Sequence, residues 1–131
     1  MPVTVSVKTD ARIDMVDITR LVQKEISNAR LQEGICVVYV PHTTAGITIN
    51  EGADPDVCRD IIKKLNELVP YDRSYRHLEG NADSHIKASI IGSSVTVIIE
   101  NGQLLLGTWQ KIFFCEFDGP RSRRVYVKVK E

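Results

Sequence analysis

The chain has 131 residues, 43% of them hydrophobic and 26% charged, the make-up of one globular domain rather than two. Seventeen Lys and Arg balance seventeen Asp and Glu, so the basic excess of a phosphate-backbone binder is missing and nucleic acid is not an expected partner. Apolar runs such as Ile35 to Val40 fall far below the ~20 residues of a membrane span. No membrane association is expected, and the first residues lack the basic segment and apolar core of a secretory signal. Three widely separated cysteines, Cys36, Cys58 and Cys115, form no CxxC pair; that is the pattern of a reduced, cytoplasmic protein. Cys36 and Cys115 lie in apolar runs and read as small buried hydrophobes.

Val3, Val5 and Val7 alternate with polar residues, the period of a half-buried strand. Asp17 reads as the cap of a helix that carries Ile18, Leu21, Val22, Ile26 and Ala29 on one face, with Gly34 past its end. Ile35 to Val40 is a β-branched run ended by Pro41, and Gly46 to Asn50 alternates as a further strand; Pro41 to Ala45 is a polar turn between them. Asp54-Pro55 opens a second helix, with Val57, Ile61, Ile62, Leu65 and Leu68 on it and Pro70 beyond. Tyr71 to Ser84 is irregular and polar, with Leu78 and Ala82 as its aliphatic residues. A loop of that size is unusual in a compact domain and points to function. Asp83 or Ser84 then caps a short helix through Ile86 and Ile90, closed by Gly92. Val95 to Ile99, the Asn101-Gly102 turn and a long return from Gln103 to Phe117 read as a hairpin. Gly107 marks a bulge in the return, Asp118 to Arg121 a turn, and Arg124 to Lys130 a last alternating strand. Helices gathered in two places among hairpin-linked strands make an α+β domain with mostly antiparallel sheet.

All three histidines, His42, His77 and His85, fall in the polar segments. His77, Glu79, Asn81, Asp83 and His85 crowd into nine positions. Imidazoles and carboxylates on a loop entering a helix suit a divalent metal, zinc first and magnesium as the alternative, or acid–base work. Thr43 and Thr44 sit in a tight turn that can offer N–H and hydroxyl groups to an anion. Arg121, Arg123 and Arg124 follow Asp118-Gly119-Pro120 and can clamp a phosphate. Trp109 breaks the alternation of the long strand, where its indole can stack on a ring or fill a core or subunit interface.

Four strings carry a resemblance. Pro41 to Glu51, His77 to Ala88, Gly107 to Gln110 and Phe114 to Arg121 together resemble the YjbQ-like family, also called the secondary thiamine-phosphate synthase family. They run in order along the whole chain, and the polar positions match. The resemblance implies an α+β fold with a seven-stranded, mostly antiparallel β-sandwich-like core and two main helices. It also implies a homotrimer with a metal-binding cleft near each subunit boundary. The activity implied joins hydroxymethylpyrimidine diphosphate to thiazole phosphate and releases pyrophosphate. On that reading His42, His77 and His85 are the metal ligands. Glu79, Asp83 and His85 do acid–base work, while Thr43, Thr44, Asn81, Trp109 and Arg121 hold the phosphorylated small molecule. Two other readings stand beside it: a metal-dependent hydrolase of a phosphorylated metabolite, with metal-bound water as nucleophile, and a non-enzymatic metabolite-binding trimer.

Overall fold

The computed structural model describes every residue except Arg73 and Leu78; the aliphatic Leu78 of the irregular stretch therefore lies outside the described residues. The chain runs β1 (Val3–Lys8), β2 (Asp14–Asp17), α1 (Thr19–Ala29), β3 (Gly34–Tyr39), β4 (Ala45–Glu51), α2 (Pro55–Leu68), α3 (Ala82–Ile91), β5 (Ser94–Glu100), β6 (Gln103–Leu104), β7 (Gln110–Glu116) and β8 (Ser122–Lys130). All strand pairs are antiparallel. One sheet has the order β1-β8-β3-β5-β6 and the other β2-β7-β4. The α+β class holds, with eight strands and three helices among the described residues rather than seven and two.

Two local causes account for the strand boundaries that the residue pattern did not show. Asp14-Met15-Val16-Asp17 is too short to show a period, yet it pairs with β7 from Asp14 against Glu116 to Asp17 against Phe113. The long return from Gln103 divides because the side chain of Gln110 turns back, its Oε1 accepting from the Gly107 N–H at 2.8 Å. That bond ends pairing after Leu104 and restarts it at Gln110.

One apolar core draws on both sheets and on α1. Val5, Val38, Val97 and Val125 meet Ile47, Ile112 and Phe114, with Ile18 just before α1 and Val22 and Ile26 of α1 fully buried among them. Their i, i+4, i+8 spacing is the apolar face read from the sequence. Strand β7 is buried on both sides, which is why its sequence runs apolar without alternating. Ile112 and Phe114 face the main core, while Phe113 and Cys115 face a smaller cluster with Ala88, Phe117, Cys58 and Leu65. Cys36 and Cys115 are buried, as expected, and burial pushes their thiols up to about 11 and about 12, so both behave as inert hydrophobes.

The helix ends correct the sequence reading in detail. Asp54 does cap α2, its carboxylate accepting from the Asp56 N–H at 2.9 Å with Pro55 in the first turn. Asp17 is the last residue of β2, so Ile18 takes the cap position of α1; the Asp17 carboxylate still accepts from Thr19 N–H at 2.9 Å and its hydroxyl at 2.7 Å. Asn81, not Asp83 or Ser84, precedes α3. Those two residues lie buried in its first turn because each finds a partner from elsewhere in the chain. Gly92 closes α3 at φ +96°, as read. Gly46 lets that end come close: a Cβ there meets the Gly92 carbonyl oxygen at 2.7 Å. Gly46→Ala is expected to cost about 1–3 kcal/mol through this backbone collision, read as a lower urea midpoint at unchanged slope.

Candidate functional site

Four pieces of backbone meet where α3 begins: the segment before β2, the turn before β4, the turn after β7, and the residues leading into α3. The meeting is built on two buried ionic groups. Beneath it, the Glu116 carboxylate takes the hydroxyl of Thr9 at 2.8 Å, the Asp118 N–H at 3.1 Å and a two-pronged contact from Arg123, whose Nε lies at 2.8 Å. Arg123 also donates to Thr44 Oγ1 at 2.8 Å. Glu116 and Arg123 are 0% and 6% exposed. Burial alone pushes the Glu116 carboxyl up, but these donors and the Arg123 charge outweigh it and hold the group below its ordinary range.

Beside it, Asp83 is shared by two cations. The Arg12 guanidinium reaches its two oxygens at 3.1 and 3.3 Å, and Lys87 Nζ lies at 3.3 Å. Lys87 is 1% exposed and also donates to Asn66 Oδ1 of α2 at 2.7 Å. Burial disfavours the Asp83 charge, yet Arg12 and Lys87 prevail and keep the carboxyl below the usual range. An acid so held does not exchange protons near neutrality. The acid–base role expected of Asp83 gives way to a clamp that fixes Arg12 and the first turn of α3. Ser84 does the same by donating to the Phe117 carbonyl at 2.5 Å.

Two clefts open above these groups. The first, about 470 Å³, is lined by Arg12, Thr43, Thr44, Glu79, Asn81, His85, Asp118 and Arg121. In it Asp118 binds Arg121 at 3.0 Å and the Asn81 amide at 2.8 Å. The other end of that amide, Asn81 Oδ1, is buried without a partner among the described residues, an acceptor that a ligand's N–H or O–H would satisfy. The second cleft, about 380 Å³, is lined by His42, Thr43, Ala45, His85, Ala88, Ser89, Gly92 and Ser93. A larger hollow of about 540 Å³ between α1 and the Gln103 to Lys111 segment holds none of the histidines.

The expected residues thus separate. Thr43, Thr44, Glu79, Asn81, His85 and Arg121 come together. His77 stands against His85, ring centroids 4.9 Å apart and edge to face. His42 lies in the second cleft, where its Nε2 is 3.1 Å from the Arg124 N–H. The same nitrogen lies 3.1 Å from the Arg124 carbonyl oxygen, and the ring's tautomer decides which of the two contacts is its hydrogen bond. Burial, with the Arg123 and Arg124 charges, lowers its pKa, against the raising effect of the Arg124 backbone contact and the Glu116 charge. Trp109 is not brought to either cleft; it is 61% exposed beside Gly107 to Gln110. Among the described residues no three His, Cys, Asp or Glu side chains converge as a metal's ligand set. Sequence reasoning missed Arg12, Lys87 and Glu116. No local pattern marks Arg12; Lys87 sits four residues after Asp83, the spacing of an ion pair on one helix face.

An α+β domain with paired antiparallel sheets and a histidine- and arginine-lined cleft at the head of its last helix is the class defined by this geometry. Residues 3–131 match the family model described as UPF0047 protein YjbQ-like, and the chain belongs to that family. It is 57% identical over 123 residues to a UPF0047 protein of Methanocaldococcus jannaschii, covering 94% of this chain and 89% of the other. It is 50% identical over 127 residues to the UPF0047 protein YugU of Bacillus subtilis, covering 96% of each. A crystal structure of a YjbQ/UPF0047 family protein from Clostridium acetobutylicum superposes with a TM-score of 0.95 at 54% identity, over 98% of this chain and 99% of that one. No helix among the described residues is long and apolar enough to cross a membrane.

Proposed function

We propose that this chain is an enzyme for a phosphorylated small molecule, working as thiamine-phosphate synthase does: it joins two organic groups and releases pyrophosphate. The observation that carries the reading is the first cleft, where Arg12 and Arg121 stand over Thr43 and Thr44 with the His85 imidazole at the border. Guanidinium groups bind phosphate oxygens through charge-assisted bonds and stabilise charge on a departing pyrophosphate. Without metal, His85 would give that leaving group a proton, and Glu79 would hold or take one. Thr43 and Thr44 supply hydroxyls to the same oxygens.

Charge counting supports a divalent cation as partner to the ligand. Arg12, Lys87 and Arg121 are matched by Glu79, Asp83 and Asp118, three against three. An incoming dianion therefore adds uncompensated charge unless a cation accompanies it. His77 and His85 would hold zinc, and Glu79 is the donor that suits magnesium; the ion would draw charge from the phosphate oxygens. A homotrimer with clefts near its boundaries belongs to the same reading. Ile35, Tyr39 and Ile98 support it: they share the outer face of the larger sheet and are 43–56% exposed. The free cysteines fit a cytoplasmic place of action.

Calorimetric titration with inorganic pyrophosphate, with and without magnesium or zinc, tests this. Arg121→Ala is expected to weaken binding about tenfold or more. His85→Ala should lose turnover of the two thiamine precursors and, with the metal, part of the affinity. Metal content by elemental analysis should fall in both His77→Ala and His85→Ala. A parent protein that ignores pyrophosphate under every metal condition ends the proposal.

A further inference from the structure

The hollow of about 540 Å³ lies between the start of α1 and the segment from Gln103 to Lys111, and it shares no wall residue with either cleft. Gly107, Thr108 and Gln110, which the phosphate reading leaves unused, belong to its wall. Its framework is already satisfied. Gln23 commits both ends of its amide to backbone: Nε2 donates to the Gly102 carbonyl at 2.9 Å and Oε1 accepts from the Leu104 N–H at 3.0 Å. The Thr19 hydroxyl donates to Asp17 at 2.7 Å and accepts from the Ile112 N–H at 2.9 Å. The Gly107 to Gln110 turn closes on itself, with the Gly107 N–H on Gln110 Oε1 at 2.8 Å and the Gln110 N–H on the Gly107 carbonyl at 3.1 Å. The wall is therefore fixed before any ligand arrives.

What is left over has one sign. Arg20 of α1 and Lys111 of β7 make no ion pair among the described residues. Lys111 is half-buried, its stem laid on Gly52 so closely that a Cβ there would collide with Lys111 Cγ. The wall has one carboxylate, Asp17, whose Oδ1 already takes the Thr19 N–H and hydroxyl. Two cations against one carboxylate leave a single positive charge in excess. Leu104 and Leu106, partly buried against the main core, supply apolar surface.

We infer that this hollow binds a small organic monocarboxylate, its carboxylate held by Arg20 and Lys111 and its carbon chain on Leu104 and Leu106. One negative charge matches the excess, whereas a phosphate dianion overshoots it. The turn also lacks the free glycine N–H that cradles a phosphate, because the Gly107 N–H is held by Gln110. A neutral ligand strips water from both cations and puts nothing in its place. An arginine fork accepts a carboxylate through two parallel bonds, with lysine adding a point charge. The volume is that of a small-ligand site.

Hexanoate, acetate and neutral hexanamide serve as probes, titrated into the isotope-labelled full chain while amide chemical shifts are followed. Hexanoate should give saturable shifts centred on residues 19–23 and 103–111. It should bind about tenfold or more tightly than acetate, because its longer chain leaves water, and about tenfold or more tightly than hexanamide, which lacks the charge. Arg20→Gln and Lys111→Met, the second keeping the stem over Gly52, remove no ion pair and should each weaken hexanoate about tenfold with the rest of the spectrum unchanged. Excess pyrophosphate should leave hexanoate bound, so this site is tested apart from the phosphate cleft. Hexanoate that gives no saturable shifts, that is matched by acetate or hexanamide, that is displaced by pyrophosphate, or that binds both variants as it binds the parent overturns the inference and leaves the phosphate reading untouched.

Discussion

Glu116→Gln is expected to lower stability by about 3–5 kcal/mol, because it leaves the Arg123 guanidinium charged and buried without its partner. The carboxylate is the hub of a group that ties four separated segments: Thr9 before β2, Thr44 before β4, the turn after β7, and β8. Removing its charge weakens all of these together. The measurement is the urea midpoint at pH 7 for parent and variant. The pH dependence has a definite sign. The folded carboxyl is held below its ordinary 4.5, so its contribution is fully present above that value and fades as pH falls below it toward the folded pKa. The parent should lose stability in that acid window, and Glu116→Gln should flatten that part of the curve.

Asp83→Asn should show the second large loss, again about 3–5 kcal/mol, for the same reason: it strands a buried cation. Lys87 is 1% exposed and would keep only the Asn66 amide oxygen as a partner. Arg12 would lose both of its carboxylate contacts. Adding Lys87→Met to Asp83→Asn is expected to recover most of the loss, since a buried pair replaced on both sides by uncharged groups leaves nothing unpaired. Recovery of the urea midpoint in the double variant, with pyrophosphate binding still weak, would separate the structural part of the clamp from its hold on Arg12.

What the sequence made legible was local. The alternation of Val3 to Val7 and of Arg124 to Lys130, the apolar face of Ile18, Val22 and Ile26, and the Asp54-Pro55 helix start each rest on a few adjacent residues, and each stands in the structure. The strand period also sorts the arginines near residue 121. In β8 positions 123 and 124 point to opposite faces, so Arg123 goes inward to Glu116 while Arg124 lies out over the Tyr126 ring. The polar strings led to Thr43, Thr44, Glu79, Asn81, His85 and Arg121 in the charged cleft. What could not be read depends on distant partners. Arg12 meets Asp83, 71 positions on, and Thr9 meets Glu116, 107 positions on. No window of sequence contains both members. Asp83 stands between the two cases: a carboxylate near histidines looks like an acid, its partner Lys87 is four residues on, and its partner Arg12 is far outside that window. The exposed Trp109 shows the converse, a residue whose chemistry fits a site that this chain does not bring it to.

The position of β8 has a consequence for how the protein is made. This strand lies between β1 and β3 in the larger sheet, pairing Val127 with Val3 on one side and with Val38 on the other. On the ribosome, β1 and β3 emerge long before residues 122–130 and cannot complete their ladders until those residues clear the exit tunnel. For most of synthesis their N–H and C=O groups stand open as edges, able to pair with another nascent chain. Closing so long a loop is slow because its entropy is lost before any contact repays it. The polar Thr4, Ser6 and Lys8 that alternate with the valines of β1 keep that waiting edge from being a wholly apolar template.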